Sequence, residues 1–274
     1  MTIENEAIHG ENKRQWSRPT AFYNKYTKYF VYIVVVFFFI WSLSGIGLDL
    51  DRILQGWGQL MGVVDIAWPP NFEPRFRQLY WEGMFDSIGM ALLATVGGVI
   101  ISIPFAFMGA ENVAPQPLYY FARGMFIFTR AFHSLIIAIV FVTAVGTGVF
   151  AGILTFMFST IGYWAKLMAE DIEDIAGRKL DGIRAAGATP LQILIYAVVP
   201  QVMPRAVGLT VYRWDSNIRG SVIIGIVGAG GIGLTLLNSY RRYEYDVTLA
   251  ILLLIIAVVL IGEVMSAYVR GRVQ

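Results

Sequence analysis

The chain has 274 residues, of which 57% are hydrophobic and 15% charged, and its formal net charge is +2. A mean hydropathy of +0.61 is too high for an ordinary soluble domain and indicates an integral membrane protein. The absence of cysteine excludes disulfides, thiolate metal sites and cysteine nucleophiles, and two histidines leave little for any other metal centre. The small, scattered positive charge argues against nucleic acid as a partner.

The N-terminal part predicts a tail, one membrane helix and an external loop. Residues 1–28 are polar and basic, which predicts a cytoplasmic tail. Residues 29–48 have about the twenty apolar residues that a membrane span needs, so a cleaved signal peptide is not expected. Residues 49–84 are amphipathic, acid-rich and interrupted by prolines, with tryptophans and tyrosines suited to the headgroup layer. We expect this segment to lie outside.

Residues 85–268 predict a transmembrane core, followed by a cytoplasmic tail at 269–274. Small residues in the second span predict close contact between helices. The acidic run after the fourth span is expected to continue that helix into the cytoplasm. The spans expected after the first are 86–108, 118–145, 150–166, 206–237 and 247–267.

The basic residues support this six-span arrangement with both termini in the cytoplasm. Most of the 21 lysines and arginines fall on the predicted inner side, as the positive-inside rule requires. The predicted outside residues are Arg52, Arg75, Arg77, Arg241 and Arg242. Those at predicted membrane depth are Arg130, Arg213 and Arg219.

Residues 178–200, between the fourth and fifth spans, predict a helix, a turn and a second helix. Gly187 suits the left-handed residue that closes a short helix over 178–186. Thr189 is expected to cap the second helix, with Pro190 at its first position. Gln192 completes a capping box with Thr189. The second helix is expected to stop at Pro200.

This segment resembles the EAA loop of the membrane subunits of binding-protein-dependent ABC importers, which fits a groove on the cytoplasmic ATPase. Gly187, Val199 and Pro200 match. Asp181 replaces the usual glutamate, Gly182 and Ile183 replace two alanines, and Ala197 stands where isoleucine is usual. The residues that the resemblance implies in ATPase coupling are Asp181, Gly182, Arg184, Ala186, Gly187, Ala188, Thr189, Pro190 and Pro200. An ordinary cytoplasmic helical hairpin is the alternative.

The fifth span carries polar residues that a lipid-facing helix would not tolerate. Arg213 and Asn217 share one helical face, and Asp215 and Arg219 share another, which suits ion pairs or hydrogen bonds across neighbouring helices. Three interpretations are open: structural pairing, a path for an anion, or a position at the cytoplasmic end of the span. Because Asp215 offers one carboxylate for two arginines, one positive charge would remain for an anionic solute.

The glycine-rich run 228–233, GAGGIG, fits the G-x-G-x-x-G dinucleotide pattern. The chain has no repeated strand–helix units, and membrane-length apolar runs flank the glycines, so we reject a dinucleotide site. The glycines instead predict an interruption of a membrane helix that lines a cavity or is buried. The residues predicted to form a gate are Gly228, Gly230, Gly231 and Gly233. Arg130 and His133 are further path candidates, although a histidine at such a position is most often a packed helix residue.

Most of residues 80–270 resembles the permease subunit of phosphonate ABC importers. The resemblance rests on YRWDSNIRGSVIIGIVGAGGIG, on IPFAFMGAENVAP at 103–115 and on the coupling segment. GAGGIG alone also occurs in methionine-type permeases, so another small solute such as methionine is an alternative. The arginines and aspartate of the fifth span favour phosphonate, phosphite or hypophosphite. A membrane-embedded phosphatidyltransferase-like enzyme with Asp171, Asp174 and Asp181 as metal ligands is a weaker alternative, because the spacing of its motif fails.

The resemblance implies an all-α integral membrane protein with six transmembrane helices, similar to type I ABC importer permeases. It implies a homodimer in the bacterial inner membrane, with both termini cytoplasmic and one path for the solute. The chain would have no catalytic residue, metal or cofactor of its own. It has no G-x-x-x-x-G-K-[ST] phosphate loop, so ATP and Mg are expected on two partner ATPase subunits. An external substrate-binding protein would deliver the small anionic solute.

Overall fold

The computed structural model describes residues 24–46, 50–175, 182–183 and 185–273. The predicted N-terminal tail therefore lies mostly outside the described residues. The chain divides into two units, Met1–Met61 and Gly62–Gln274. The first unit holds α1 (Lys25–Ile46), which begins four residues before the predicted first span and has no buried side chain among those described. Helix α2 (Leu50–Ala67) begins in the first unit and ends in the second.

Helix α3 (Pro74–Met108) is 35 residues long and begins twelve residues before the predicted start at Asp86. The prediction was wrong because Pro74 lies in the first turn, where its missing N–H group has no helical partner to lose. The close contact between helices that the small residues of α3 predict is confirmed. A Cβ added at Gly98 would lie 2.7 Å from Thr160, in α6 (Val149–Thr160).

The third predicted span is not one helix. Helices α4 (Gln116–Ala131) and α5 (Ser134–Val145) meet at an angle of 90°. The break lies at Phe132 and His133, both of which have extended backbone. His133 Nδ1 accepts a hydrogen bond from the Leu135 N–H group at 3.3 Å, so this side chain caps the new helix. The prediction of a continuous helix over 118–145 was therefore wrong.

Helix α6 continues through a π-type turn (Ile161–Ala165) into α7 (Lys166–Glu173), which confirms the predicted extension into the acidic run. Helix α8 (Pro190–Ile193) likewise continues through a π-type turn (Leu194–Val198) into α9 (Val199–Ile224).

The predicted stop at Pro200 is therefore wrong. The Val199 N–H group donates to the carbonyl of Leu194, five residues back. Just before the proline, the hydrogen bonding is therefore of the π type rather than the α type. Pro200 then lies in the first turn of α9, where its missing N–H group is tolerated. The Gln201 side-chain amide donates to the carbonyl of Ala197 at 2.7 Å, so this carbonyl in the π-type turn has a hydrogen-bond partner.

The predicted interruption at the glycine run is confirmed. Helix α9 ends at Ile224 and is followed by a third π-type turn (Gly225–Ala229), by α10 (Gly231–Arg241) and by α11 (Tyr245–Val273). Gly228 and Gly230 have φ values of 97° and 80°, which residues with a side chain rarely adopt. The chain changes direction here, so residues 206–237 do not form one straight span.

The core of the second unit consists of α3, α6 and α9, and the direction of each follows from its contacts. Helices α3 and α6 run parallel, whereas α9 runs opposite to both. The contacts that establish these directions are Met90–Gly152, Gly98–Thr160, Arg213–Thr160 and Gly220–Phe156. All regular structure in the described residues is helical. Five of their helical runs are long and apolar enough to cross a membrane, or six if the bent pair α4–α5 counts as one span.

Candidate functional site

Arg213 is buried in the middle of the second unit, with 9% of its surface exposed. Its Nε donates to Thr160 Oγ1 at 3.0 Å, and its Nη2 donates to Ser159 Oγ at 2.7 Å. The guanidinium also lies over the ring of Tyr163, 5.4 Å from the ring centroid. These partners are all neutral, and no carboxylate among the described residues pairs with Arg213. Its charge is held by hydroxyls and an aromatic face rather than by an anion.

The two hydroxyls that accept from Arg213 are themselves held in place. Thr160 Oγ1 donates to the carbonyl of Phe156 at 2.6 Å, so its lone pairs remain free for the arginine. Ser159 Oγ lies 3.3 Å from Ser134 Oγ, at the first turn of α5. Two of the five N–H donors of the guanidinium are thus used. The remaining donors have no partner among the described residues.

A polar cavity of about 150 Å³ borders Arg213. This is several times the ~30 Å³ that one water molecule occupies in the liquid, so a small oxyanion fits. Asn217 is 1% exposed and also lines the cavity, and its amide donates to Thr95 Oγ1 at 2.9 Å. The polar residues of the lining are His133, Ser134, Arg213, Ser216 and Asn217. The N-terminus of α5 borders the same space, which adds the positive end of a helix dipole.

Asp215 and Arg219 form an ion pair of 2.7 Å, one helical turn apart on α9. The sequence predicted contacts across neighbouring helices, but this pair lies within one helix. The side chain of Asp215 is 4% exposed and that of Arg219 is 39% exposed. Neither residue lines the cavity around Arg213. The single carboxylate of this segment therefore neutralises Arg219 and leaves Arg213 charged.

The glycine run is packed tightly against the turn that joins α5 to α6. The carbonyl of Gly228 accepts a hydrogen bond from the Gly148 N–H group at 2.9 Å. A Cβ added at Gly230 would lie 2.7 Å from the backbone nitrogen of Val149. Gly231 and Gly233 are also buried, but they pack against Ser87 of α3 and Val222 of α9. None of the four glycines lines the cavity around Arg213, so their role as a gate stays a prediction.

The structure separates Arg130 from His133, although the two are three residues apart. Arg130 lines a second cavity together with Arg123 and Lys166, whereas His133 lines the cavity around Arg213. Sequence reasoning missed the Ser159–Thr160 hydroxyl pair that holds Arg213. Two adjacent hydroxyls at the end of a largely apolar helix were the available signal.

An apolar cavity of about 390 Å³ lies between α3, α7 and α9 and has a different character. Its polar groups satisfy each other, because Trp164 Nε1 donates to Thr210 Oγ1 at 3.1 Å and Thr210 donates to the carbonyl of Ala206. It therefore offers no free donor to an anion.

The turn of the coupling segment has the predicted geometry. Gly187 has a φ of +83°, in the left-handed region. The Thr189 N–H group donates to Gln192 Oε1 at 2.8 Å, and the Gln192 N–H group donates to Thr189 Oγ1 at 3.4 Å, so the capping box is confirmed. Ile183 and Ala188 pack against the cluster that contains Ile172 of α7. Asp181, Arg184 and most of the predicted helix over 178–186 lie outside the described residues.

Residues 98–274 match the family of binding-protein-dependent transport system inner membrane components. The chain is 38% identical over 224 residues to the phosphite transport system permease protein PtxC of Stutzerimonas stutzeri, covering 81% of each chain. It is 38% identical over 213 residues to the phosphate-import permease protein PhnE of Mycolicibacterium smegmatis, covering 77% of this chain and 40% of that one. Its fold is similar to a chain of the inward-facing MetNI methionine ABC transporter. That likeness has a TM-score of 0.65 at 20% identity and covers 74% of this chain and 100% of the other.

Proposed function

The chain belongs to the family of binding-protein-dependent transport system inner membrane components, and we propose that it forms the path of a small phosphorus oxyanion across the membrane. It is a permease subunit of an ABC importer rather than an enzyme, as the resemblance predicted. The observation that carries the choice of solute is Arg213, which is buried beside a polar cavity and has no carboxylate partner among the described residues. The proposed solutes are phosphonate, phosphite, hypophosphite or phosphate.

The energetics of Arg213 favour an anion in the cavity. A charged guanidinium at membrane depth costs several kcal/mol unless it is paired or hydrated. The unused N–H donors of Arg213 can bind two oxygens of a tetrahedral oxyanion side by side. The Ser216 hydroxyl and the positive end of α5 are available to a further oxygen. Binding of the solute thus offsets part of the cost of the buried charge.

Methionine fits this cavity less well than a phosphorus oxyanion does. Methionine is a zwitterion, so its ammonium group would enter a cavity whose lining includes Arg213 and no aspartate or glutamate. Like charges at close range in a weakly screened site repel strongly. The similarity to the methionine transporter therefore supports the fold and not the solute.

The proposed assembly contains two copies of the chain, two cytoplasmic ATPase subunits and an external binding protein, with both termini in the cytoplasm. ATP and Mg would bind to the ATPase subunits. We propose that the coupling segment around Gly187 contacts the ATPase, because its capped turn is exposed and its inner face packs against α7 through Ile183 and Ala188. Movement of the ATPase would reach the core through this contact.

The test is uptake by the complete importer in proteoliposomes, with radiolabelled methylphosphonate, phosphite, phosphate and methionine compared in parallel. Arg213→Gln is expected to lower phosphonate uptake by at least about tenfold, because hydrogen bonds to a charged group are lost. The variant should still assemble with the ATPase. Arg241→Gln removes the same charge at an exposed position and serves as the matched control. Normal phosphonate uptake by Arg213→Gln, or a preference of the wild type for methionine, would overturn the proposal.

A further inference from the structure

A second basic cavity, of about 460 Å³, lies beside α4 and α7. It is distinct from the cavity around Arg213. Its lining consists of Arg123, Phe126, Ile127, Arg130, Ala131 and Lys166. Three of these six side chains are cations and the other three are apolar. Such a lining suits a small anion that is held by the cations beside apolar side chains.

The carboxylates near this cavity neutralise only two of its three cations. Arg123 pairs with Glu173 at 2.7 Å and lies 4.0 Å from Glu170. Lys166 pairs with Glu170 at 3.3 Å. Arg130 forms no ion pair within the part of the chain that the structure describes. The cavity therefore has one positive charge in excess, and that charge is on Arg130.

The two basic cavities follow one another along a single helical run, α6 to α7. Ser159 and Thr160 hold Arg213, and Gly162 packs against α4, where an added Cβ would lie 3.1 Å from Arg130 Cγ. Lys166 follows one turn later. Lys166 lies six positions after Thr160, which corresponds to about 9 Å of helix. This step leads away from Arg213 and towards the end of α7 that precedes the coupling segment.

We propose that the cavity of Arg123, Arg130 and Lys166 is an inner binding site that receives the phosphorus oxyanion from Arg213 before its release into the cytoplasm. This inference rests on the proposed function. Conduction requires binding that is strong enough for entry and weak enough for exit, which several weak sites in series provide. The inner cavity meets this condition, because Glu170 competes with the solute for Lys166 and Arg130 is exposed.

The first experiment compares Arg130→Gln, Lys166→Gln and the control Arg272→Gln in the complete importer. The vesicles contain phosphatidylcholine alone, so no anionic headgroup is present. Each cavity variant is expected to lower the maximal rate of methylphosphonate uptake at least about fivefold, because a charge-assisted hydrogen bond to the solute is lost. The half-saturating concentration should not change, since capture precedes this site. Arg272 is exposed in the C-terminal turn of α11, and its variant should transport like the wild type.

A second readout separates binding from a structural role. Methylphosphonate added on the ATPase side should occupy the inner cavity and inhibit uptake by the wild type. Arg130→Gln should abolish this inhibition. Glu170→Gln should strengthen it several-fold, because Lys166 and Arg123 lose a competing carboxylate. A merely structural role would not move the two variants in opposite directions.

Unchanged uptake and unchanged inhibition in Arg130→Gln and Lys166→Gln would overturn the inner site while leaving the proposed function intact. An effect of these variants that appears only in vesicles with phosphatidylglycerol would also overturn it, because the occupant would then be a lipid headgroup. Failure of the wild type to transport any phosphorus oxyanion would overturn the proposed function itself.

Discussion

Removal of Asp215 and removal of Arg219 from their ion pair should lower the stability of the fold by different amounts. The carboxylate of Asp215 is 4% exposed, whereas the side chain of Arg219 is 39% exposed. Arg219→Gln would leave a buried carboxylate without its cation. Asp215→Asn would leave an arginine whose long, partly exposed side chain can move its charge away from the buried position of the carboxylate. We therefore expect Arg219→Gln to be the more destabilising change.

The magnitudes follow from this difference in burial. Removing one partner of a buried pair costs about 3–5 kcal/mol, and the partial exposure of Arg219 places the cost of Arg219→Gln at the low end, about 3 kcal/mol. For Asp215→Asn the remaining charge is accessible, so about 1 kcal/mol is expected. The double variant buries no charge, so its cost should fall back to about 1 kcal/mol. The double variant is thus predicted to be more stable than Arg219→Gln alone.

The assay is reversible unfolding in mixed detergent micelles. The melting temperature from size-exclusion chromatography serves as a check on the order of stability of the variants. Uptake by the folded fraction should stay normal, because neither residue lines the cavity around Arg213. If Asp215→Asn costs as much as Arg219→Gln, or if the double variant is no more stable than Arg219→Gln, the argument from burial is refuted. Loss of uptake by folded Arg219→Gln would assign Arg219 to the path.

Three further predictions concern packing, coupling and topology. Gly233→Ala should lower stability by about 1–3 kcal/mol, because the added Cβ would lie 2.1 Å from the carbonyl oxygen of Val222 on α9. Gly89→Ala in α3 meets no atom within 4 Å and should be neutral or slightly stabilising in the same melting assay. Gly187→Leu, at a φ of +83°, should reduce uptake and ATPase binding while the membrane helices still insert; wild-type values for both would contradict a coupling role. Cysteine at Tyr243, which is 76% exposed, should react with an impermeant label from outside, and cysteine at Ala186 only after permeabilisation. The reverse labelling pattern would invert the proposed topology.

Features with short-range causes could be predicted from the sequence. The capping box of Thr189 and Gln192 and the left-handed Gly187 depend on residues within a few positions of each other. Membrane helices are predictable for a related reason, because the bilayer imposes a length and a composition on each span. The failures at Pro74 and Pro200 have one cause. A proline can start a helix as well as end one, and the outcome depends on the hydrogen bonds that precede it.

The candidate site was only partly predictable. The sequence alone determined that the fifth span holds two arginines and one carboxylate, and that Asp215 and Arg219 share a face one turn apart. It could not determine which arginine keeps an uncompensated charge, because the partners of Arg213 are hydroxyls on another helix more than fifty residues away. Only the antiparallel packing of α9 on α6 brings these groups within hydrogen-bond distance. Only the 90° bend at His133 places that side chain at the cavity around Arg213 and places Arg130 at the second basic cavity. Local periodicity determines the face of a helix on which a charge lies, and the packing of distant helices determines the groups that meet it.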